Sequence, residues 1–219
     1  MSFTLGISTS STQFEAVLGK NGQFLFSSKN NIFLDDTKDI ALLVSESFAK
    51  LGITAHDLTE IVVDIGPGGT SLVRTGVAFA NGLAYSLGIP VCPVLSVELV
   101  GLEAWENTQL PVICTEKSMK DNAYVALYAG KIVHFKYGIL TEIVQEMTEG
   151  IDEFAVAGAH RTQLIELFPN KKIHDSGIQF GNAQLLIEKA ALYSERKVIF
   201  PDFTHPITEQ TIFSFNHKL

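Results

Sequence analysis

The residues with the clearest chemical potential are Asp64-Ile65-Gly66-Pro67-Gly68-Gly69, with Arg74 and Gly76 shortly after. A glycine-rich turn that opens a helix presents free backbone N–H groups and the positive end of the helix dipole, a place that can hold phosphate or carboxylate. Gly66, Gly68, Gly69 and Arg74 are therefore candidates for an anion- or nucleotide-facing loop. The plainer alternative is a tight strand-to-helix turn that needs glycine for its backbone angles. No Lys-Ser/Thr ending makes the run a P-loop, which favours the plainer alternative.

Other clusters carry less. Ser8-Thr9-Ser10-Ser11 gathers four hydroxyls, but no neighbouring pattern supplies a base, and a hydroxyl-capped turn accounts for it. Asp35 and Asp36 are adjacent, would point oppositely in a strand, and read as a solvated loop. Glu116, Lys117, Lys120 and Asp121 read as a hydrated mixed-charge turn. The six histidines, His56, His134, His160, His174, His205 and His217, include no pair four apart, so no helix turn brings two rings to one metal. No metal ligand set and no cofactor are expected. Nor is a Ser/His/Asp arrangement apparent, which argues against a peptidase.

The elements that position these residues follow from periodicity. Strands are predicted over Phe3 to Ile7, Gln13 to Leu18 and Phe24 to Ser28, the last two joined by the hairpin dipeptide Asn21-Gly22. A helix over Lys38 to Leu51 has Ile40, Leu43, Val44, Phe48 and Leu51 at helical spacing, with Gly52 as its stop. A strand over Ile61 to Ile65 leads into the Gly-rich turn, then a helix over Thr70 to Leu87, a strand over Val91 to Leu95 and a helix from Ser96 to about Trp105. The second half repeats the order. Strands are expected at Val112 to Thr115, Ala123 to Tyr128, Lys131 to Tyr137 and Glu153 to Ala157, and helices at His160 to Phe168 and Gly181 to Ser194. Two copies of one order suggest a duplicated α/β unit with mixed sheets, divided at Asn107-Thr108-Gln109. From Phe200 onward Pro201 and Pro206 predict irregular chain.

Composition sets the class. The chain has 219 residues, 46% of them hydrophobic and 18% charged, enough apolar side chain for a packed core and too little charge for disorder. Its mean hydropathy of +0.22 hints at apolar surface covered by something else. A net charge of −8 means the chain neutralises few phosphates alone, so contact with a nucleic acid would be indirect. Cys92 and Cys114 show no CxxC spacing, and a reduced, cytoplasmic protein is expected. The start has no basic region followed by an apolar run, so neither signal peptide nor anchor is expected there, and no membrane partner.

The helix from Leu72 to Leu87 carries one charge, Arg74. Val73, Val77, Ala80, Ala84 and Leu87 can face a sheet, while Leu72, Phe79 and Leu83 lie elsewhere around it, and Gly76 and Ala80 permit close helix approach. A helix apolar on every side must be covered on every side. The preceding helix has a second stripe of its own, Leu42 and Ala49. Either one large domain buries both helices, or Leu42, Ala49, Leu72, Gly76, Phe79, Ala80 and Leu83 form a protein–protein interface.

The run Gly66-Pro67-Gly68-Gly69-Thr70-Ser71-Leu72-Val73-Arg74-Thr75-Gly76 resembles GPGSFTGLRIG, the signature of the TsaB (YeaZ) family, with Gly66, Pro67, Gly68, Arg74 and Gly76 in register. Ala80 to Ala84, Leu87-Gly88-Ile89-Pro90, Ser96-Val97-Glu98 and Leu5 to Ser10 resemble that family's A-x-GLA, LGIP, SSLE and LAIDTS segments. The second half resembles it thinly, with His205 where the family has Arg. The resemblance implies two tandem RNase H-like domains of the actin, sugar kinase and heat-shock ATPase superfamily, here over residues 1–107 and 108–219. It implies a non-catalytic subunit that dimerises through its first two helices with TsaD, the transferase that places threonylcarbamoyl on the tRNA adenosine beside the anticodon. A TsaE-like ATPase is a further implied partner, and a homodimer is expected when the chain is alone. Catalytic relatives use an aspartate at the end of the first strand, where Ser8 stands, and a histidine pair on the first helix. The rival expectation is a small ATP-dependent kinase or phosphotransferase using Asp64 and the Gly66–Gly69 turn.

Overall fold

A computed structural model describes residues 2–11, 14–30, 37–199, 202–209 and 211. Chain contacts group into two units, residues 1–95 with 183–206, and 96–182 with 207–219.

The first unit holds a five-stranded sheet in the order β3-β2-β1-β4-β5. β1 (Phe3–Ser8), β2 (Glu15–Lys20) and β3 (Gln23–Ser27) form an antiparallel meander, and β4 (Leu58–Asp64) and β5 (Val91–Val94) continue it in parallel from β1. The β2–β3 turn is the one that Asn21-Gly22 predicts, with φ of 53° and 77° at its two residues. The second strand, expected from Gln13, is observed from Glu15, and Gln13 lies outside the described residues. So do Asp35 and Asp36.

Helix α1 (Ile40–Leu51) starts where the Asp39 carboxylate accepts the Leu42 N–H at 3.1 Å and stops at the left-handed Gly52. Helix α2 (Thr70–Leu87) stops the same way at Gly88. α1 packs on β2, α2 packs on β4 and β1, and the two helices touch. The other face of the sheet is covered by the short helix α6 (Leu185–Glu188). A Cβ on Gly6 would lie 3.0 Å from Leu186 Cβ, so β1 is bare there because α6 presses onto it.

A helix expected over Gly181 to Ser194 is instead α6 followed by a 3-10 segment, Ala190–Arg196. The apolar run Leu185-Leu186-Ile187 is buried against strands rather than along one continuous helical stripe. Beyond it residues 202–208 are irregular, as Pro206 predicts, yet they are anchored; Phe200 and Pro201 lie outside the described residues. Asn81 Nδ2 donates to Thr204 O at 2.9 Å and the Thr204 N–H donates to Asn81 Oδ1 at 3.2 Å. One amide thus holds the strap to α2 by both edges. Replacing Asn81 with Ala is expected to loosen residues 202–206 by about 1–3 kcal/mol, two net hydrogen bonds, read as faster amide exchange at Thr204 with little change in global melting.

The second unit repeats the plan. Its sheet order is β10-β9-β6-β7-β8. β6 (Val112–Lys117), β7 (Asn122–Tyr128) and β8 (Ile132–Ile139) form the meander, with β9 (Glu153–Gly158) and β10 (Lys172–Asp175) parallel to β6. Helices α4 (Leu140–Met147) and α5 (Arg161–Leu167) occupy the places of α1 and α2 in the order. Neither α4 nor β10 is among the sequence-based expectations. Val125, Leu127, Ile143, Val144, Met147, Phe154 and Leu164 build this unit's core. Helix α3 (Ser96–Thr108) packs on β6, β7 and β9, so the segment after β5 serves the second sheet as α6, after β10, serves the first. Glu116, expected on a hydrated turn, is buried at the end of β6 with 8% exposure. Its strand position takes it inside while Lys117, Lys120 and Asp121 stay outside. Among the described residues no helix is long and apolar enough to cross a membrane.

Candidate functional site

At the carboxyl ends of β1 and β4 the backbone brings Ser8 beside Asp64, because Gly6 and Ile7 pair in parallel with Val62 and Val63. Asp64 is 1% exposed. Its Oδ2 accepts from Ser8 Oγ at 3.0 Å and from Ser10 Oγ, and its Oδ1 accepts from the Gly66 N–H at 2.9 Å. Burial pushes this carboxyl above the usual range, and the Ser10, Gly66 and Ser8 hydrogen bonds oppose that push. Three protein donors thus engage both carboxyl oxygens. Two members of the hydroxyl cluster serve Asp64.

The Gly-rich turn lies directly over this arrangement. Gly66 is buried with φ of 89° and forms a cis peptide with Pro67. Gly68 is half-buried, and a Cβ there would stand 2.6 Å from Ser10 O and 2.8 Å from Ser10 Cα. Gly69 and Arg74 are exposed, and Gly69, which begins α2, offers no side-chain cap. Gly66, Gly68 and Gly69 lie in the turn, with Gly66 buried, and Arg74 lies within α2.

The seven predicted interface residues divide. Gly76 and Ala80 face the chain's own core with Val73, Val77 and Ala84. A Cβ on Gly76 would lie 2.4 Å from Thr9 Oγ1, so Gly76 admits the β1–β2 loop. Leu72, Phe79 and Leu83 are half-buried along one edge of α2, and on α1 Leu42 is 41% exposed and Ala49 is exposed. The helix is not covered all round within its unit. The outward surface of these touching helices is partly apolar, carrying Leu42, Ala49, Leu72, Phe79 and Leu83. Asn81, the strap's anchor, gave no sequence signal beyond being an amide on an apolar helix.

In the second unit, the His160 N–H donates to Thr115 Oγ1 at 3.0 Å, and the imidazole Nδ1 is buried with no partner. Burial, with Lys117 nearby, holds His160 below its usual range. The unfolded chain therefore takes up this proton first. Stability from the neutral ring is present above about pH 6.5 and is lost as pH falls from there toward the folded value. Between pH 7 and 5.5, His160→Gln is expected to lose less stability than the parent, measured by urea unfolding. Among the described residues no three His, Cys, Asp or Glu side chains gather where they could hold a metal ion.

Comparison with known proteins follows this geometry. A family model described as "TsaD: tRNA N6-adenosine threonylcarbamoyltransferase" matches residues 36–197. The tRNA threonylcarbamoyladenosine biosynthesis protein TsaB of Haemophilus influenzae is 24% identical over 166 residues, 70% of each chain. A tRNA N6-adenosine threonylcarbamoyltransferase of Streptococcus pneumoniae is 27% identical over 158 residues, 65% of this chain but 46% of its own length. The chain thus spans less than half of that transferase. The solved structure of YeaZ from Pseudomonas aeruginosa superposes with a TM-score of 0.74 at 18% identity, covering 95% of this chain and 100% of that one.

Proposed function

The chain belongs to the TsaD family of tRNA N6-adenosine threonylcarbamoyltransferases, as a member of its TsaB (YeaZ) kind, and on that premise we propose that it is a non-catalytic subunit that docks on and activates a TsaD-like transferase. Its two sheets are tandem RNase H-like units, and the first of them carries the docking face.

The observation that supports this reading is a contrast within the first unit. The buried carboxylate of Asp64 is engaged by the chain's own donors, whereas Leu42, Leu72, Phe79 and Leu83 stay partly uncovered on touching helices. A carboxylate whose two oxygens already accept three protein hydrogen bonds is poorly placed to hold Mg²⁺ beside a nucleotide, since a metal contact would compete with those donors. Helix α1, Ile40 to Leu51, has no histidine. Threonylcarbamoyl transfer then resides in the partner. The acidic charge of −8 supports most tRNA contact lying with the partner too, and the reading is of a cytoplasmic complex.

The test is reconstitution. The purified chain, a TsaD-like subunit from the same cell, tRNA and the threonylcarbamoyl donor are assayed together and singly. Modification is expected only when the transferase is present, and to rise at least about tenfold when this chain is added, about 1.4 kcal/mol of activation. Turnover of Mg-ATP by the isolated chain would favour a phosphotransferase instead.

A further inference from the structure

We propose that Asp64 is a positioning residue: its carboxylate, delivered from β4, joins the β1–β2 loop to the Gly66–Gly69 turn and so sets where α2 and its docking edge begin. This deepens the docking reading and rests on it for the binding arm of the test.

Three observations carry it. First, one carboxylate serves two loops. Oδ2 holds Ser8 at the end of β1 and Ser10 of the β1–β2 loop, and Oδ1 holds the Gly66 N–H of the turn. Second, the loops meet at backbone distance, for Gly68 leaves no room for a Cβ against Ser10, and Gly76, nearly two turns into α2, leaves none against Thr9. The start of α2 therefore follows the β1–β2 loop, and Leu72 is two residues beyond Thr70, the first residue of the helix. Third, the carboxylate is held inside at 1% exposure, against a desolvation cost that apolar packing would avoid.

The register makes an exchange of acid and hydroxyl geometrically reasonable. Ser8 and Asp64 are lateral neighbours at the ends of parallel strands, and four residues earlier Thr4 and Glu60 pair the same way, with Thr4 Oγ1 donating to Glu60 Oε1 at 3.0 Å. Both pairs place the hydroxyl on β1 and the carboxylate on β4. Aspartate on β1 facing serine on β4 would put a carboxylate into nearly the same space. Ser8 stands where the resembling motif has aspartate, so the acid here has changed strands rather than disappeared.

The experiment compares the full chain with Asp64→Ser, Ser8→Asp and the double exchange Ser8→Asp/Asp64→Ser. Asp64→Ser removes the clasp, and Ser8→Asp sets two carboxylates about 3 Å apart, where both cannot ionise freely. Each single variant is expected to speed amide exchange over residues 66–72 at least about tenfold and to weaken binding to the TsaD-like subunit about tenfold. The double exchange is expected to return both to within about threefold of the parent. A double variant no better than the worse single, or an Asp64→Ser chain with parental exchange and binding, overturns the proposal. If a single variant does not fold, recovery of folding in the double supports the clasp and failure to recover overturns it. A parent chain that binds no transferase would sink the docking reading alone, because amide exchange still decides the clasp.

Discussion

Phe79→Glu is expected to weaken binding to the TsaD-like subunit by at least about 100-fold, about 2.8 kcal/mol, while the chain stays folded. Phe79 is half-buried on the edge of α2 between Leu72 and Leu83, one turn or two from each. A phenyl ring in that place gives a partner a large apolar anchor, and a carboxylate would have to be desolvated without a counter-ion. Within the chain itself the ring is only partly covered, so its loss costs about 1 kcal/mol and lowers the melting temperature by about 2–4 °C. Leu25→Glu is the matched control. Leu25 is 42% exposed on the edge strand β3, on neither helix, and its charged variant should leave affinity unchanged. Titration calorimetry with the purified partner reads both variants, and equal loss in both would mean that added charge, not the α2 edge, is what matters.

Gly68→Ala is expected to destabilise the chain by about 1–3 kcal/mol, through overpacking against atoms that cannot rotate away. The new methyl would meet Ser10 O at 2.6 Å and Ser10 Cα at 2.8 Å. Relief requires moving the β1–β2 loop, which stretches the hydrogen bonds from Ser8 and Ser10 to Asp64. Gly82→Ala makes the opposite prediction on the same helix. Gly82 is exposed and a Cβ there meets nothing within 4 Å, so alanine should stabilise by about 0.5–1 kcal/mol through helix propensity. Chemical denaturation of the two variants side by side separates a glycine required for close approach from one that is merely tolerated.

Much of this was legible in the sequence, for identifiable reasons. Asn21-Gly22 announced its hairpin because two successive positive φ angles are costly for most residues. The limits of α2 were visible because Pro67 to Gly69 and Gly88 punctuate an unbroken apolar period. Helix α6 is hard to read because a short apolar run buried against strands has no helical stripe to count, and strand β10 is too short for a clear period, whereas the helical spacing of Leu140, Ile143, Val144 and Met147 does mark α4. Ser8 and Asp64 were each noticed, but their pairing was not, since they are 56 residues apart and only the parallel β1–β4 register joins them. Gly76 and Ala80 look like interface residues on a helical wheel, and only the position of Thr9 and the sheet shows that they face inward.

The account turns on which surface of the first unit the transferase covers. Hydrogen–deuterium exchange of the chain, free and saturated with the TsaD-like subunit, reads that surface directly. Slower exchange over residues 42–51 and 72–87, with β7 and β8 unchanged, is expected if the transferase covers the two helices. Unchanged exchange on both helices in a complex that demonstrably forms, or slowing of the Gly66–Gly69 turn by Mg-ATP alone, would contradict it.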